Sequence, residues 1–259
     1  MQFGYFTLSD NRYPGNTRSA EGKVDRSRVR VFAQGVPPDK ELPADVLLAL
    51  RTSGENDLPA RQLARFVKEA ADKYAPIAVD VVWRRDRYLR GGDHFPFLEA
   101  GYPALRFTEP VEDWRHQHQD PRLVEGVQFG DLPQFVDFAY VADVARVNLA
   151  ALASLALAPA APRDVEMEVL RLENDTTLRW KANPEPDLAG YAIVWRKTTA
   201  PFWEHGRDVG NVTRFTLEGV SKDDHVFGVR AYDRDGNLSV ATYPRPVRPP
   251  PRATAPAAR

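Results

Sequence analysis

The stretch RGGDHFPFLEAGYPALRF, Arg90 to Phe107, decides how the first half of this chain is read. Two glycines free the backbone ahead of an Asp-His pair. Phe95, Phe97 and Leu98 follow, Gly101-Tyr102-Pro103 breaks the run, and Ala104 to Phe107 reads as a strand. A histidine on such a hinge is either the first residue of a helix after a glycine turn or an imidazole presented to a cleft. One histidine holds no zinc by itself, because a zinc site needs several ligands.

Outward from that stretch, helical and extended patterns alternate. Val29 to Ala33 is β-branched and alternating, Ile77 to Trp83 is an apolar strand, and Gly15 to Arg28 is a loop. Asp45 to Arg51 is a short helix or turn. Asp57-Leu58-Pro59 opens a helix with Asp57 as its cap and proline in its first turn. Leu63, Phe66, Val67 and Ala70 recur along it at helical spacing. Gln134 to Leu157 reads as one long helix with its core stripe on Phe135, Phe138, Ala142, Ala145, Leu149 and Leu152. Such alternation of helices and short strands spells an α/β layer.

The period changes after a linker, Ala158 to Pro162. Glu166–Leu172, Thr177–Lys181, Tyr191–Arg196, Thr213–Leu217, Val226–Tyr232 and Leu238–Thr242 read as short strands separated by turn signals, the pattern of a β-sandwich. From Pro244 the chain is rich in proline and arginine and reads as a disordered or polyproline tail. The expected organisation is an α/β unit over 1–157, a linker over 158–164, an all-β sandwich over 165–247 and a tail over 248–259.

Bulk properties narrow the function classes. The 259 residues are 43% hydrophobic and 27% charged with formal net charge -1. That balance gives no electrostatic footprint for nucleic acid or an anionic membrane. There is no cysteine, so a transition metal would need His, Asp or Glu. The N-terminus lacks the basic and apolar regions of a signal peptide. Val147 to Ala158, the most apolar segment, is too short to span a bilayer. The arginines at 84, 85, 87 and 90 are interrupted by Asp86 and Asp93 and read as solvated charges. His116 and His118 read as a loop on the surface or at a cleft rim. The acceptor patterns at Asn174, Asn211 and Asn237 fall at turns, where asparagine is expected anyway.

RDRYLRGGDHFPFLEAGYPALRFTE (Arg85 to Glu109) followed by WRHQHQD (Trp114 to Asp120) resembles the C-terminal third of the zinc-dependent aminopeptidases of metallopeptidase family 28. GNTRSAEGKVDRSRVRVFAQGVP (Gly15 to Pro37) and FVDFAYVADVARVNLAALASLA (Phe135 to Ala156) extend the resemblance from about Pro14 to Pro159. It implies a partial α/β/α peptidase sandwich, with zinc as cofactor, peptides as substrates and His94 as the last metal ligand. It also sets the departures. The family draws its other ligands and its general base from a His-x-Asp, a bridging Asp, a Glu-Glu pair and a later Asp. This chain has no Glu-Glu dipeptide, and its one His-x-Asp, His118 to Asp120, lies after His94. The later Asp falls on Arg12, with Asp10 as the nearest carboxylate. TLRWKANPEPDLAGYAIVWR (Thr177 to Arg196) and HVFGVRAYDRDGNLS (His225 to Ser239) resemble a fibronectin type III module, with Trp180, Tyr191 and Tyr232 as core aromatics.

The expectation is therefore the C-terminal portion of a zinc aminopeptidase followed by a fibronectin-like sandwich, inactive alone, starting inside the peptidase domain and binding zinc weakly. The competing expectation is a non-catalytic binding or structural module that keeps the scaffold. The resemblance implies a secreted or periplasmic bacterial protein, and no nucleic-acid or membrane partner is expected. A missing N-terminal portion, or a second copy docking on an exposed sheet edge, is the expected partner.

Overall fold

The computed structural model describes residues 5–7, 17–37 and 41–247. The chain divides into two units, Met1–Ala158 and Pro159–Arg259.

In the first unit, strands β1 (Tyr5–Thr7), β2 (Arg28–Ala33), β3 (Ala78–Val82) and β4 (Ala104–Thr108) form one sheet in the order β1-β4-β2-β3. β1 runs parallel to β4, β4 antiparallel to β2, and β2 parallel to β3. β4 is buried along its whole length, and β2 buries Val29, Val31, Phe32 and Ala33. Helices α1 (Ala44–Arg51), α2 (Pro59–Tyr74), α3 (His94–Glu99) and α4 (Phe138–Leu157) complete the unit with a small hairpin, β5 (Arg122–Val124) and β6 (Val127–Phe129). α2 buries Leu63, Phe66, Val67 and Ala70 as its spacing predicts, and packs against the sheet and α4. Leu63, Phe66 and Val67 each contribute roughly 2 kcal/mol by leaving water.

Three local expectations need correction. Asp57 does not cap α2. Pro59 drives its predecessor into the extended region, so Leu58, at ψ 157, is the capping residue and its side chain makes no cap bond. The Asp57 carboxylate is buried instead, accepting from Gln62 Nε2 at 3.0 Å and lying 3.4 Å from Arg65 Nη1.

The long helix begins at Phe138 rather than Gln134. Pro133–Phe135 is a separate 3-10 turn, and Asp137 caps α4 by accepting from the Tyr140 N–H at 3.2 Å. Its core stripe is also different: Tyr140, Val144, Val147 and Ala151 are buried, while Phe138 and Leu149 are each 66% exposed and Leu152 is exposed too. The helix is amphipathic about an axis that apolar spacing alone does not reveal, because apolar residues occupy both faces. Its 20 residues are long and apolar enough to cross a membrane by length and composition only, a test that a core helix also passes.

The second unit holds two sheets. β7 (Arg163–Glu168), β8 (Thr176–Lys181), β11 (Arg214–Leu217) and β13 (Arg245–Val247) are ordered β11-β8-β7-β13. β9 (Leu188–Lys197), β10 (His205–Gly210) and β12 (His225–Asp233) are ordered β10-β9-β12. Val165, Leu178, Trp180, Tyr191, Ile193 and Phe227 belong to one buried cluster. Trp180 and Tyr191 meet at 5.3 Å between ring centroids, and the Tyr191 hydroxyl accepts the Asn183 N–H at 2.7 Å. Tyr232, expected in the core, is instead half-buried and donates to Asp208 at 2.8 Å.

β10 and β13 were not expected. β10 reads HGRDVG and lies largely exposed at an edge, so it lacks the apolar alternation that marks a strand. β13 carries Pro246 within the stretch rich in proline and arginine that starts at Pro244, yet it pairs parallel with β7. At a sheet edge the missing proline donor is tolerated. Leu238 to Thr242 forms isolated bridges to β12 rather than a strand. The expected tail over 248–259 lies outside the described residues.

Candidate functional site

A cavity of about 590 Å³ opens in the first unit where four segments meet: the 17–26 loop, the 3-10 turn Trp114–His116, hairpin β5–β6 and the start of α4. Asp113 begins the turn and accepts the Arg115 N–H at 3.1 Å. The Arg115 guanidinium folds back on the same carboxylate, with Nε donating at 2.8 Å. Burial pushes the Asp113 carboxyl up. The hydrogen bonds from the Arg115 side chain and backbone outweigh it, helped by the charges of His116 and Arg115, and hold the carboxyl below its ordinary range.

His116 follows on the wall of the cavity. Its ring stacks on Phe135 at 3.5 Å and 11°. Its Nδ1 lies 3.7 Å from Asp113 Oδ2 and has no hydrogen-bond partner among the described residues. The segment is closed behind the ring by Gln117, whose Nε2 donates to Glu109 at 3.1 Å and Glu112 at 3.3 Å. Gly130 ties the hairpin to it, its N–H reaching the Arg115 carbonyl at 2.9 Å. At φ 108, with Pro121 Cα 2.5 Å from where a Cβ would stand, only glycine fits there. Across the cavity Asp137, the cap of α4, accepts from Thr17 at 2.9 Å and pairs with Arg26. The cavity wall is thus tied from both sides by carboxylates that also cap helical turns.

His94, the histidine singled out by the resemblance, lies elsewhere. It opens α3, is 1% exposed, and does not line the cavity. Its Nε2 donates to the Arg85 carbonyl at 3.0 Å, so in the neutral ring Nδ1 carries the lone pair. Nδ1 is closed in by Gly92, where a Cβ would stand 3.2 Å away, and Arg106 lies beside the same glycine. Burial pushes the imidazole pKa down, against the Arg85 carbonyl and Asp86, which raise it. Arg106 in turn binds Asp86 and the Gly91 carbonyl. This assembly clamps the arginine-rich loop to α3. His94 Nδ1 has no hydrogen-bond partner among the described residues.

Among the described residues, no group of three His, Asp or Glu side chains stands close enough to hold a metal ion. The described donor set therefore does not fit a zinc site by itself, and Asp10 and Arg12 lie outside the described residues. His116 was read from sequence as a loop residue. The available signal was the Asp113-x-x-His116 spacing, which turns a capping carboxylate toward an imidazole.

No protein-family model matches the chain. A curated protein of Pyrenophora tritici-repentis described as a probable zinc metalloprotease is 47% identical over 234 residues, covering 90% of this chain and 48% of that protein. Another so described, from Leptosphaeria maculans, is 48% identical over 233 residues, covering 90% of this chain and 54% of its own length. A third, from Pyricularia oryzae, is 45% identical over 243 residues, with coverage of 92% and 48%. The chain spans about half the length of the curated relatives it matches. The matched stretch is longer than either unit, so it runs through both. These relatives are fungal and lend no support to a bacterial source. Among solved structures, the FN1-FN3 domains of chicken CNTN1 are similar at TM-score 0.28 and 22% identity, over 33% of each chain. The FN5 domain of Drosophila Lar is similar at TM-score 0.25 and 26% identity, over 32% of this chain and 90% of that one.

Proposed function

We propose that this chain contributes part of a zinc-dependent peptidase of the aminopeptidase kind, joined to a fibronectin-like sandwich that does no chemistry. The observation that carries this reading is the 47% identity to a probable zinc metalloprotease over 90% of the chain, through both units. In this reading His116 is the imidazole that faces the substrate. Asp113, whose Oδ2 lies 3.7 Å from His116 Nδ1, is the carboxylate beside that ring. The remaining metal ligands and the general base come from groups outside the described set. The Glu-Glu pair that would supply the base is absent from the sequence, so the chain by itself turns nothing over.

The test is hydrolysis of aminoacyl-p-nitroanilides by the full chain with added zinc, beside His116→Ala and His94→Ala. The expected result is no turnover above the buffer blank. Removing a general base alone costs on the order of a hundred- to ten-thousand-fold. Turnover abolished by either substitution would show that a complete site exists within these residues.

A further inference from the structure

We propose that two copies of this chain pair through the exposed face of α4, as antiparallel helices about a two-fold axis. This goes beyond the peptidase reading and does not rest on it.

α4 carries two apolar stripes. Tyr140, Val144, Val147 and Ala151 are buried in the fold, and the Tyr140 hydroxyl donates to the Arg28 carbonyl at 2.9 Å. The second stripe is Phe138, Ala142, Ala145, Leu149, Leu152 and Ala156. Ala142 is half-buried and the other five are exposed, Phe138 and Leu149 at 66%. Steps of four, three, four, three and four residues separate them. That alternation is the heptad spacing of a seam between paired helices. It runs almost the full length of the helix, whose 20 residues span about 30 Å.

The order of large and small residues along the seam identifies the occupant. With a second helix turned end for end about an axis beside Val147, Phe138 meets the partner's Ala156. Ala142 then meets the partner's Leu152, and Ala145 the partner's Leu149. Every large side chain faces a small one, and the two-fold axis repeats each contact. Such alternation across facing positions lets two helices interdigitate at the density of a protein interior. A two-fold interface uses the same patch on both copies, so one sequence serves both sides. A parallel pair in register would instead set leucine against leucine and alanine against alanine. A lipid surface requires no such order at all. The charges beside the seam also fit. Asp143 and Arg146 are the only charged side chains in α4, and they bind each other. Neither copy brings net charge to the contact.

The experiment is sedimentation equilibrium of the full chain from about 1 to 300 µM. A contact made by one helix pair lies at the small end of protein interfaces, and a dissociation constant of about 10–100 µM is expected. Leu149→Lys should weaken association by about tenfold or more, since it brings an unpaired ammonium into the seam. Ala145→Leu should weaken it by about tenfold, because large then meets large on both sides of the axis. Joined to Leu149→Ala, that same substitution should restore association to within about threefold of the parent, because large again faces small. Thermal melting at about 1 µM, where the copies are apart, should show the three variants folded like the parent. A parent chain that stays monomeric at about 300 µM overturns the proposal. So does a dimer that Leu149→Lys leaves intact, or a double variant that associates no better than Ala145→Leu alone. Tighter association of Ala145→Leu overturns it as well, by marking an apolar face without a specific mate. Uptake of the monomer by phosphatidylcholine vesicles, with no dimer at any concentration, overturns it in favour of a lipid surface.

Discussion

The sandwich closes on itself, whereas the α/β unit does not. Trp180, Tyr191, Ile193 and Phe227 are buried against side chains of the same unit. Among the described exposed large apolar side chains, only Leu170, Leu172, Val212 and Leu238 belong to the sandwich. The α/β unit exposes many more, among them Trp114 and Leu123 near the cavity and Leu149, Leu152 and Leu157 along α4. Its buried charges stand in pairs, Asp57 with Arg65 and Asp86 with Arg106, while the sandwich too buries charge, at Arg196, Arg230 and Asp233. A unit whose apolar face is its own core needs little else to be stable. One that leaves an apolar helix face uncovered while holding buried ion pairs is organised around something other than its own stability.

The largest effect that can break this comparison is a charge placed on the buried face of α4. Val147→Lys puts an unpaired ammonium at a fully buried position, and should cost several kcal/mol, enough to abolish the α/β transition in thermal melting while the sandwich still melts cooperatively. A normal α/β transition in that variant would mean that the buried stripe is misassigned. Next comes Ile193→Ala in the sandwich core. It should lower sandwich stability by about 2–5 kcal/mol in denaturant titration and leave the α/β transition in place.

His94→Leu should cost the α/β unit about 1–3 kcal/mol, since it leaves the Arg85 carbonyl without its donor. It also tests a pH dependence. The folded ring has a lowered pKa, so below the ordinary value of 6.5 the unfolded chain takes up the proton that the folded chain refuses. The α/β unit should therefore keep this part of its stability above that value and lose it as the pH falls from there. Stability measured from pH 8 to pH 5 should fall less steeply in His94→Leu than in the parent. The smallest effect is expected from Leu149→Lys. On the exposed face of α4 it should change stability by no more than about 0.5 kcal/mol, and a large loss would show that this face is covered in solution.

The two regions were also unequally legible. The sandwich core shows in the sequence because strands with one buried face alternate with period two, and Trp180, Tyr191 and Ile193 fall on that period. Its edges do not show, since β10 and β13 are held by backbone pairing rather than by apolar side chains. In the α/β unit β2, β3, β4, α2 and the existence of α4 were readable, but β1, the β5–β6 hairpin and the start and buried face of α4 were not. Alanine and leucine run round the whole helix, and the choice of face depends on what packs against it. The site was the least legible part. The Gly-Gly-Asp-His motif marks His94 in the sequence, whereas its bond to the Arg85 carbonyl and its packing against Gly92 are seen only once those residues are placed in space. His116 carries no such motif, and its position follows from Asp113, Phe135 and Gly130, which come together from separate segments.

The most direct test of this assignment follows the five histidines by long-range ¹H–¹⁵N NMR while zinc is titrated into the full chain. The account predicts that the His116 ring resonances move first and that those of His94 stay in place, with its Nε2 proton still donated to the Arg85 carbonyl. Movement of His94 at low zinc, with His116 unchanged, would contradict it and return the ligand role to the glycine hinge.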